Sequence, residues 1–585
     1  MAVGLSLFGV WDYVVLVIVL LLSSFIGLYY RFTGGKQKTV KEYLLADKNM
    51  HIAPVAFSLM ASFMSAITIL GVSSENYTYG FQFIVINISY GLFTPVAAYL
   101  YLPVFFRLQA TSAYEYLERR FGKVARLAAS LSYSLQMILY MGIVLYAPAL
   151  TLEALTGITQ VTAILSVGLV CTFYSTIGGM KAVLMTDLLQ SLLMFAAVFS
   201  VIICAVIETG SFSEIWRIAE MGNRTDLLNF DPDPTVRHTW FSLIIGGGIT
   251  FLSLYAVNQT QVQRYLTVKD LKQAQKALWL NWPILTLLSL STSFSGLAIY
   301  SKYYNCDPVT TKMIDLPDQI MPYFVVDSMG HIPGLSGLFV AGIFSASLST
   351  VSASVNSLAA VTLEDYLKPL YLAIKGTPLP EKGISLRTKL IALAYGLACI
   401  ALAFLAQFLG GVLQAALTIF GVVGGPLLAL FTLGMFTTTA NEKGALTGLV
   451  VGLSISLWIA FGGPKPPLPK LPVRTDGCNA TETSFVHASL FQQSSNFSAA
   501  TLTQPVDNSE YFWLYRLSYL YNGVFGLLST FIVGYFVSFI ISKISNKKPK
   551  HMDPNLFIPP IARRMRKWNE CLNSVEESKL MELHR

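Results

Sequence analysis

The residues best placed to do chemistry are hydroxyls buried in apolar sequence. The stretch from Ser345 to Asn356 reads SASLSTVSASVN, with six hydroxyls in its first ten residues. Ser345, Ser349, Ser352 and Asn356 follow spacings of four, three and four, so they share one helical face. Small residues let membrane helices pack closely, but hydroxyls this dense suit a hard cation held by oxygen. A second small and polar run, ASFMSAIT, spans Ala61 to Thr68. Gly246, Gly247 and Gly248 form a third site, where the chain is expected to unwind or to let another backbone approach. Interruptions at matching places in two halves of a membrane protein leave carbonyls free for cations. Asp187 lies about one turn inside an apolar segment. It is either interfacial and paired with Lys181, or a buried carboxylate serving a second cation.

Other chemistries lack their residues. The six histidines fall in loops, tails or segment ends, which argues against histidine catalysis and haem. No Walker, kinase or nucleophile-elbow motif occurs, so neither an enzyme nor an ATP-driven pump is expected. No CxxC or Cys/His cluster suggests a metal other than sodium, and no organic cofactor is implied.

The elements that position these residues must lie in a lipid bilayer. Of 585 residues, 54% are hydrophobic and 12% charged, whereas soluble chains carry about 25% charged residues. Apolar stretches long enough to cross a bilayer as helices recur through the chain. The predicted fold is an all-α polytopic membrane protein with about thirteen transmembrane helices. Residues 1–10 form an extracellular N-terminus, 11–541 the membrane domain and 542–585 a cytoplasmic tail. If the first span is an extra, core repeats at about 51–207 and 240–435 make a 5+5 inverted-repeat core opened by broken helices. Residues 462–514 read as an extracellular loop.

The net charge of +8 does not indicate nucleic acid, because the basic residues sit in short loops. With the N-terminus outside, the large majority of the 40 Lys and Arg face the cytoplasm, including Arg264 in the loop after the seventh span. The sequons at Asn223, Asn479 and Asn496 then fall outside as glycosylation sites, and Cys306 and Cys478 are placed to pair there. Those at Asn76, Asn87 and Asn258 lie in or against spans and read as accidental. The basic cluster Arg563, Arg564, Arg566 and Lys567 ends a tail expected to be solvated or to rest on anionic lipid.

Longer motifs carry a resemblance. The segment from Tyr174 to Asp187 (YSTIGGMKAVLMTD) resembles the first signature of the sodium:solute symporter family. Gly434, Met435 and the run from Asn441 to Gly448 resemble the second, with Thr439 where the family usually has Lys or Arg. The segment from Asn258 to Arg264 (NQTQVQR) also looks like a family segment. Phe63 to Gly71, Leu145 to Leu150, Leu348 to Thr350, Leu413 to Leu417 and Gly424 to Pro426 resemble the monocarboxylate, multivitamin and iodide branch.

The resemblance implies a plasma-membrane symporter with sodium and substrate at the midplane. A main sodium site would use backbone oxygens of Ala61, Met64 and Ala346 and the hydroxyls of Ser349 and Thr350. A second would involve Ser62, Asp187, Gln190 and Ser352, with Ala353 where some members have a hydroxyl. Substrate would lie near Phe63, Thr68, Tyr90, Tyr140, Leu413 and Gln414. No Arg or Lys is expected mid-span, so an anion would meet sodium, the Tyr140 and Thr68 hydroxyls and half-helix N-termini.

The expected activity is electrogenic sodium-coupled import of a small organic anion, foremost a monocarboxylate such as lactate or pyruvate. Moving one net charge gains about 2.3 kcal/mol per 100 mV. Biotin or pantothenate, iodide, and sugar or inositol are alternative cargoes. A non-transporting solute sensor or sodium channel on the same fold is the alternative of another class.

Overall fold

The computed structural model describes residues 8–32, 44–177, 179–380, 383–406, 408, 411–478, 510–544 and 552–568. Among them there is no strand, and ten helices are long and apolar enough to cross a membrane. In chain order these include α1 (Val10–Phe32), α3 (Phe81–Leu108), α4 (Lys123–Thr156), α6 (Met180–Thr209) and α8 (Leu271–Tyr303). They continue with α9 (Leu335–Lys375), α10 (Ile384–Ala406), α11 (Val412–Phe436), α12 (Glu442–Phe461) and α13 (Tyr519–Ile544). Two bent pairs raise the number to twelve: α2 (Ile52–Ala61 with Ala66–Tyr79) and α7 (Ser242–Tyr255 with Gln259–Tyr265). Helix α5 (Gln160–Ile177) adds a shorter apolar stretch, so the arrangement is compatible with thirteen crossings.

Burial sorts the helices by task. Every residue of α9 from Phe339 to Val361 is buried, which makes it the central post of the bundle. Helices α1 and α13 instead leave large apolar side chains exposed, such as Ile18 and Phe25, or Ile532 and Phe536. That pattern suits lipid contact around a packed centre.

The two bends are built alike. The first opens at 62–65 and turns the chain by 58°; the second opens at 256–258 and turns it by 59°. Each outgoing half starts on a capping residue: Ser65 accepts from the Ile67 N–H at 3.2 Å, and Asn258 from the Thr260 N–H at 2.9 Å. The unwinding expected at Gly246 to Gly248 therefore falls more than two helical turns further along, at 256–258. Those glycines stay helical and serve close approach: a Cβ on Gly246 would lie 2.6 Å from the Leu520 carbonyl oxygen, and one on Gly248 2.2 Å from the Phe93 ring.

The loops also settle into place. Cys306 and Cys478 form a disulfide with a Cα–Cα distance of 5.0 Å. Asn223 is exposed in the loop before α7, while Asn76, Asn87 and Asn258 are buried; Asn479 and Asn496 lie outside the described residues. The tail expected to be solvated is docked over 552–568. Phe557 is fully buried beside Arg120, the Ile558 N–H bonds the Met435 carbonyl, and Arg563, Arg564, Arg566 and Lys567 remain exposed.

Candidate functional site

The bend of α2 meets the hydroxyl stripe of α9. Ser349 Oγ donates to the carbonyls of Ala61 and Ala346, both at 3.0 Å. Thr350 Oγ1 donates to the same two oxygens, at 3.2 and 3.0 Å. Ala61 is the last helical residue before the bend, so its carbonyl is freed from the usual helical ladder. Two carbonyls and two hydroxyls thus converge with no exposed surface, a donor set that suits a hard cation. Other hydroxyls of α9 have structural work: Ser347 bonds the Val144 carbonyl at 3.1 Å, and Ser357 bonds Tyr133 at 2.6 Å.

A second polar cluster sits one turn toward the start of α2. Asp187 on α6 accepts from Ser58 Oγ and, at 3.4 Å, from Arg264 Nη2, and Arg264 Nε donates to Ser58 Oγ at 2.8 Å. Both charged side chains are fully buried. Arg264 is therefore a buried residue in the second half of α7 and not part of a cytoplasmic loop, which corrects the loop assignment. Asp187 is not paired with Lys181, whose ammonium lies 5.7 Å from the Tyr30 ring centroid. Ser62 Oγ donates to the Ser58 carbonyl. Asp187 Oδ1, both polar atoms of Gln190, and the Ser345 and Ser352 hydroxyls are buried with no partner. Unmet buried polar atoms are costly, and several together on the packed helices α6 and α9 mark a place where a ligand would be gained.

Beside the α2 bend lies a cavity of about 80 Å³. By that measure one water takes about 10–15 Å³, so the space suits a solute of a few heavy atoms. Phe63, Met64, Thr68, Tyr90, Tyr140 and Leu413 line it. The Tyr140 hydroxyl faces the bend, 3.4 Å from Ser65 Oγ and 3.5 Å from the Phe63 carbonyl. Phe63 and Tyr140 both pack on Phe420, with ring centroids 5.7 and 4.6 Å away, and Tyr90 stacks on Phe251 at 5.4 Å.

Gln414 is not in this wall. Its Oε1 accepts from Arg237 Nη1 at 3.0 Å, in a polar layer beyond the cavity. Ser65, Phe251, Tyr255 and Phe420 are also in the wall, beyond the residues the sequence points to. Ser65 carried a signal, as a serine just before an apolar run; the three aromatics read as ordinary core.

Comparison with known proteins shows what the chain is similar to. The sequence pattern of the sodium:solute symporter family matches residues 43–452. A Drosophila melanogaster chain, named only provisionally as a sodium-dependent multivitamin transporter, is 56% identical over 568 residues, covering 96% of this chain and 92% of that one. Sodium-coupled monocarboxylate transporter 1 of Homo sapiens is 45% identical over 573 residues, covering 95% and 90%. In fold, the chain is similar to a Na+-coupled sialic acid symporter solved in a substrate-bound outward-open state. The TM-score is 0.75 at 24% identity, over 93% of this chain and 100% of that one.

Proposed function

The chain belongs to the sodium:solute symporter family, and we propose that it imports a small organic anion, foremost a monocarboxylate such as lactate or pyruvate. In this reading the membrane is the plasma membrane, with the N-terminus outside and the C-terminus in the cytoplasm. The repeats comprise about 51–207 and 240–435. Sodium is held by the carbonyls of Ala61, Met64 and Ala346 and the hydroxyls of Ser349 and Thr350. A second sodium uses Ser62, Asp187, Gln190 and Ser352, which makes import of a monovalent anion electrogenic. Substrate lies against Phe63, Thr68, Tyr90, Tyr140 and Leu413.

One observation carries the reading: the α2 bend borders both the oxygen cluster and the cavity. Ala61 contributes to the oxygen cluster, while Phe63 and Met64 wall the cavity. A cation that orders 61–64 also orders the pocket, so each ligand favours the conformation the other needs.

A vitamin cargo is the second reading, supported by the name of the 56% identical relative. Biotin and pantothenate share the carboxylate, and the cavity of about 80 Å³ favours the smaller solute. The deciding experiment is uptake of labelled lactate, biotin and pantothenate in sodium and in choline, with Ser349→Ala beside the wild type. Lactate accumulation in sodium, abolished by Ser349→Ala, is expected. Vitamin uptake without lactate uptake moves the cargo to the second reading. Indifference to sodium removes the coupling altogether.

A further inference from the structure

The polar layer that holds Gln414 lies next to the cavity wall, on the side of the disulfide. Helix α2 carries Thr68 and Val72 on the cavity wall, and Glu75 follows on the same face less than a turn further along. Arg237, in the loop before α7, grips Glu75 with two nitrogens, at 2.5 and 2.9 Å. Its third nitrogen reaches Gln414, next to the wall residue Leu413. The guanidinium lies 4.3 Å from the Tyr79 ring centroid and 4.9 Å from that of Tyr519. Both ionic side chains are nearly buried, Arg237 at 10% exposure and Glu75 at 7%.

Two neighbours complete the layer. His238 Nε2 sits 3.2 Å from Glu75, and its ring packs 5.3 Å from Phe83 of the cavity wall. Burial pushes His238 down to about 4, so it is neutral and Arg237 is the layer's cation. Asp318 accepts from the Val412 N–H at 3.0 Å and pins the start of α11.

A planar cation at the mouth of a cavity, held by a bidentate carboxylate, is a receptor for a second carboxylate of the same shape. We propose that Arg237 is the anion-selecting residue at the outer mouth, and that an incoming carboxylate opens the path by replacing Glu75 on its guanidinium. This inference rests on the organic-anion reading above. Exchange of one carboxylate for another keeps Arg237 paired throughout, so no buried charge is left alone. A neutral or cationic solute gains nothing at Arg237.

The test reads access to the cavity and not cargo. Ala416→Cys places a thiol in the cavity wall. Intact cells are labelled from outside with two impermeant methanethiosulfonates, one sulfonated and anionic, the other carrying a quaternary ammonium. Glu75→Gln is expected to speed labelling by both and the anionic reagent most, because Arg237 is then freed. Arg237→Gln is expected to slow the anionic reagent relative to the cationic one by about tenfold or more. Arg237→Lys is expected to keep the anionic preference, and it carries the test if Arg237→Gln fails to reach the surface. A reagent preference that Arg237→Gln leaves as in the wild type, or that Glu75→Gln does not shift toward the anionic reagent, would overturn the proposal. Sodium-dependent lactate uptake, measured in cells that carry the native Ala416, separates failure of the cargo reading from failure at Arg237.

Discussion

Two buried arginine–carboxylate pairs bracket the broken helix α2, and they are built differently. The outer pair, Glu75 with Arg237, is bidentate, stacked between two tyrosines and extended to Gln414. The inner pair, Asp187 with Arg264, has one long contact at 3.4 Å, and Asp187 Oδ1 faces no partner. Both arginines flank α7: Arg237 precedes it and Arg264 lies near its end. The outer pair meets its own hydrogen-bonding needs and acts as a closure. The inner pair leaves oxygen unspent, which suits ligation. Burial alone does not distinguish a latch from a binding site; satisfaction of the polar atoms does.

The comparison breaks most easily at the inner pair. Asp187→Ala strands Arg264 in the core and is expected to cost about 3–5 kcal/mol, seen as loss of surface protein and uptake. Asp187→Leu with Arg264→Met removes both charges and is expected to restore surface delivery. If sodium activation in that double variant keeps its wild-type Hill coefficient, the inner cluster is structural and not a sodium site.

At the outer pair, Glu75→Gln keeps shape and hydrogen bonding but removes the charge, a loss of about 2 kcal/mol for a charge-assisted bond. Transport is expected to persist, with a lower KM for the anion because Arg237 has less to exchange. An unchanged KM would make the pair a strut. Between the two pairs, Tyr140→Phe removes one neutral hydroxyl from the α2 bend, worth about 0.5–1.5 kcal/mol. A rise in KM of a few fold, with sodium activation unaltered, is expected.

A pH-dependent effect comes from Asp318, which burial pushes up to about 6. An unfolded carboxyl titrates near about 4, so the folded protein holds its proton more tightly and stability falls as pH rises through about 6. Asp318→Asn keeps an oxygen for the Val412 N–H and carries no charge. Its Tm in detergent is expected to exceed that of the wild type at pH 7.5, with the gap closing by pH 4.5.

Much of this was legible in the sequence, for reasons that also explain what was not. Long apolar segments announce themselves because lipid admits little else, and the small polar run at Ala61 to Thr68 marked the α2 bend. Gly246 to Gly248 point to a bend in α7, yet helix geometry tolerates glycine where a neighbour presses close, as Leu520 and Phe93 do. The actual bend falls where Asn258 can cap the next half. Arg264 looked like loop charge because its partner Ser58 lies 206 residues away and Asp187 77 away. Gln414 sits beside the wall residue Leu413, and a helix turns about 100° per residue, which is enough to aim it out of the cavity.

The Cys306–Cys478 bond spans a sequence separation of 172, and it changes what the molecule is as a piece of string. Helices α9 to α12 lie wholly inside the closed ring, with α1 to α8 on one free arm and α13 on the other. A single cut by an external protease between those cysteines opens the ring but releases nothing, and the two pieces part only under a reductant. A cut beyond Cys478 frees α13 at once. On a non-reducing gel, protease accessibility is therefore sorted by topology before it is sorted by structure.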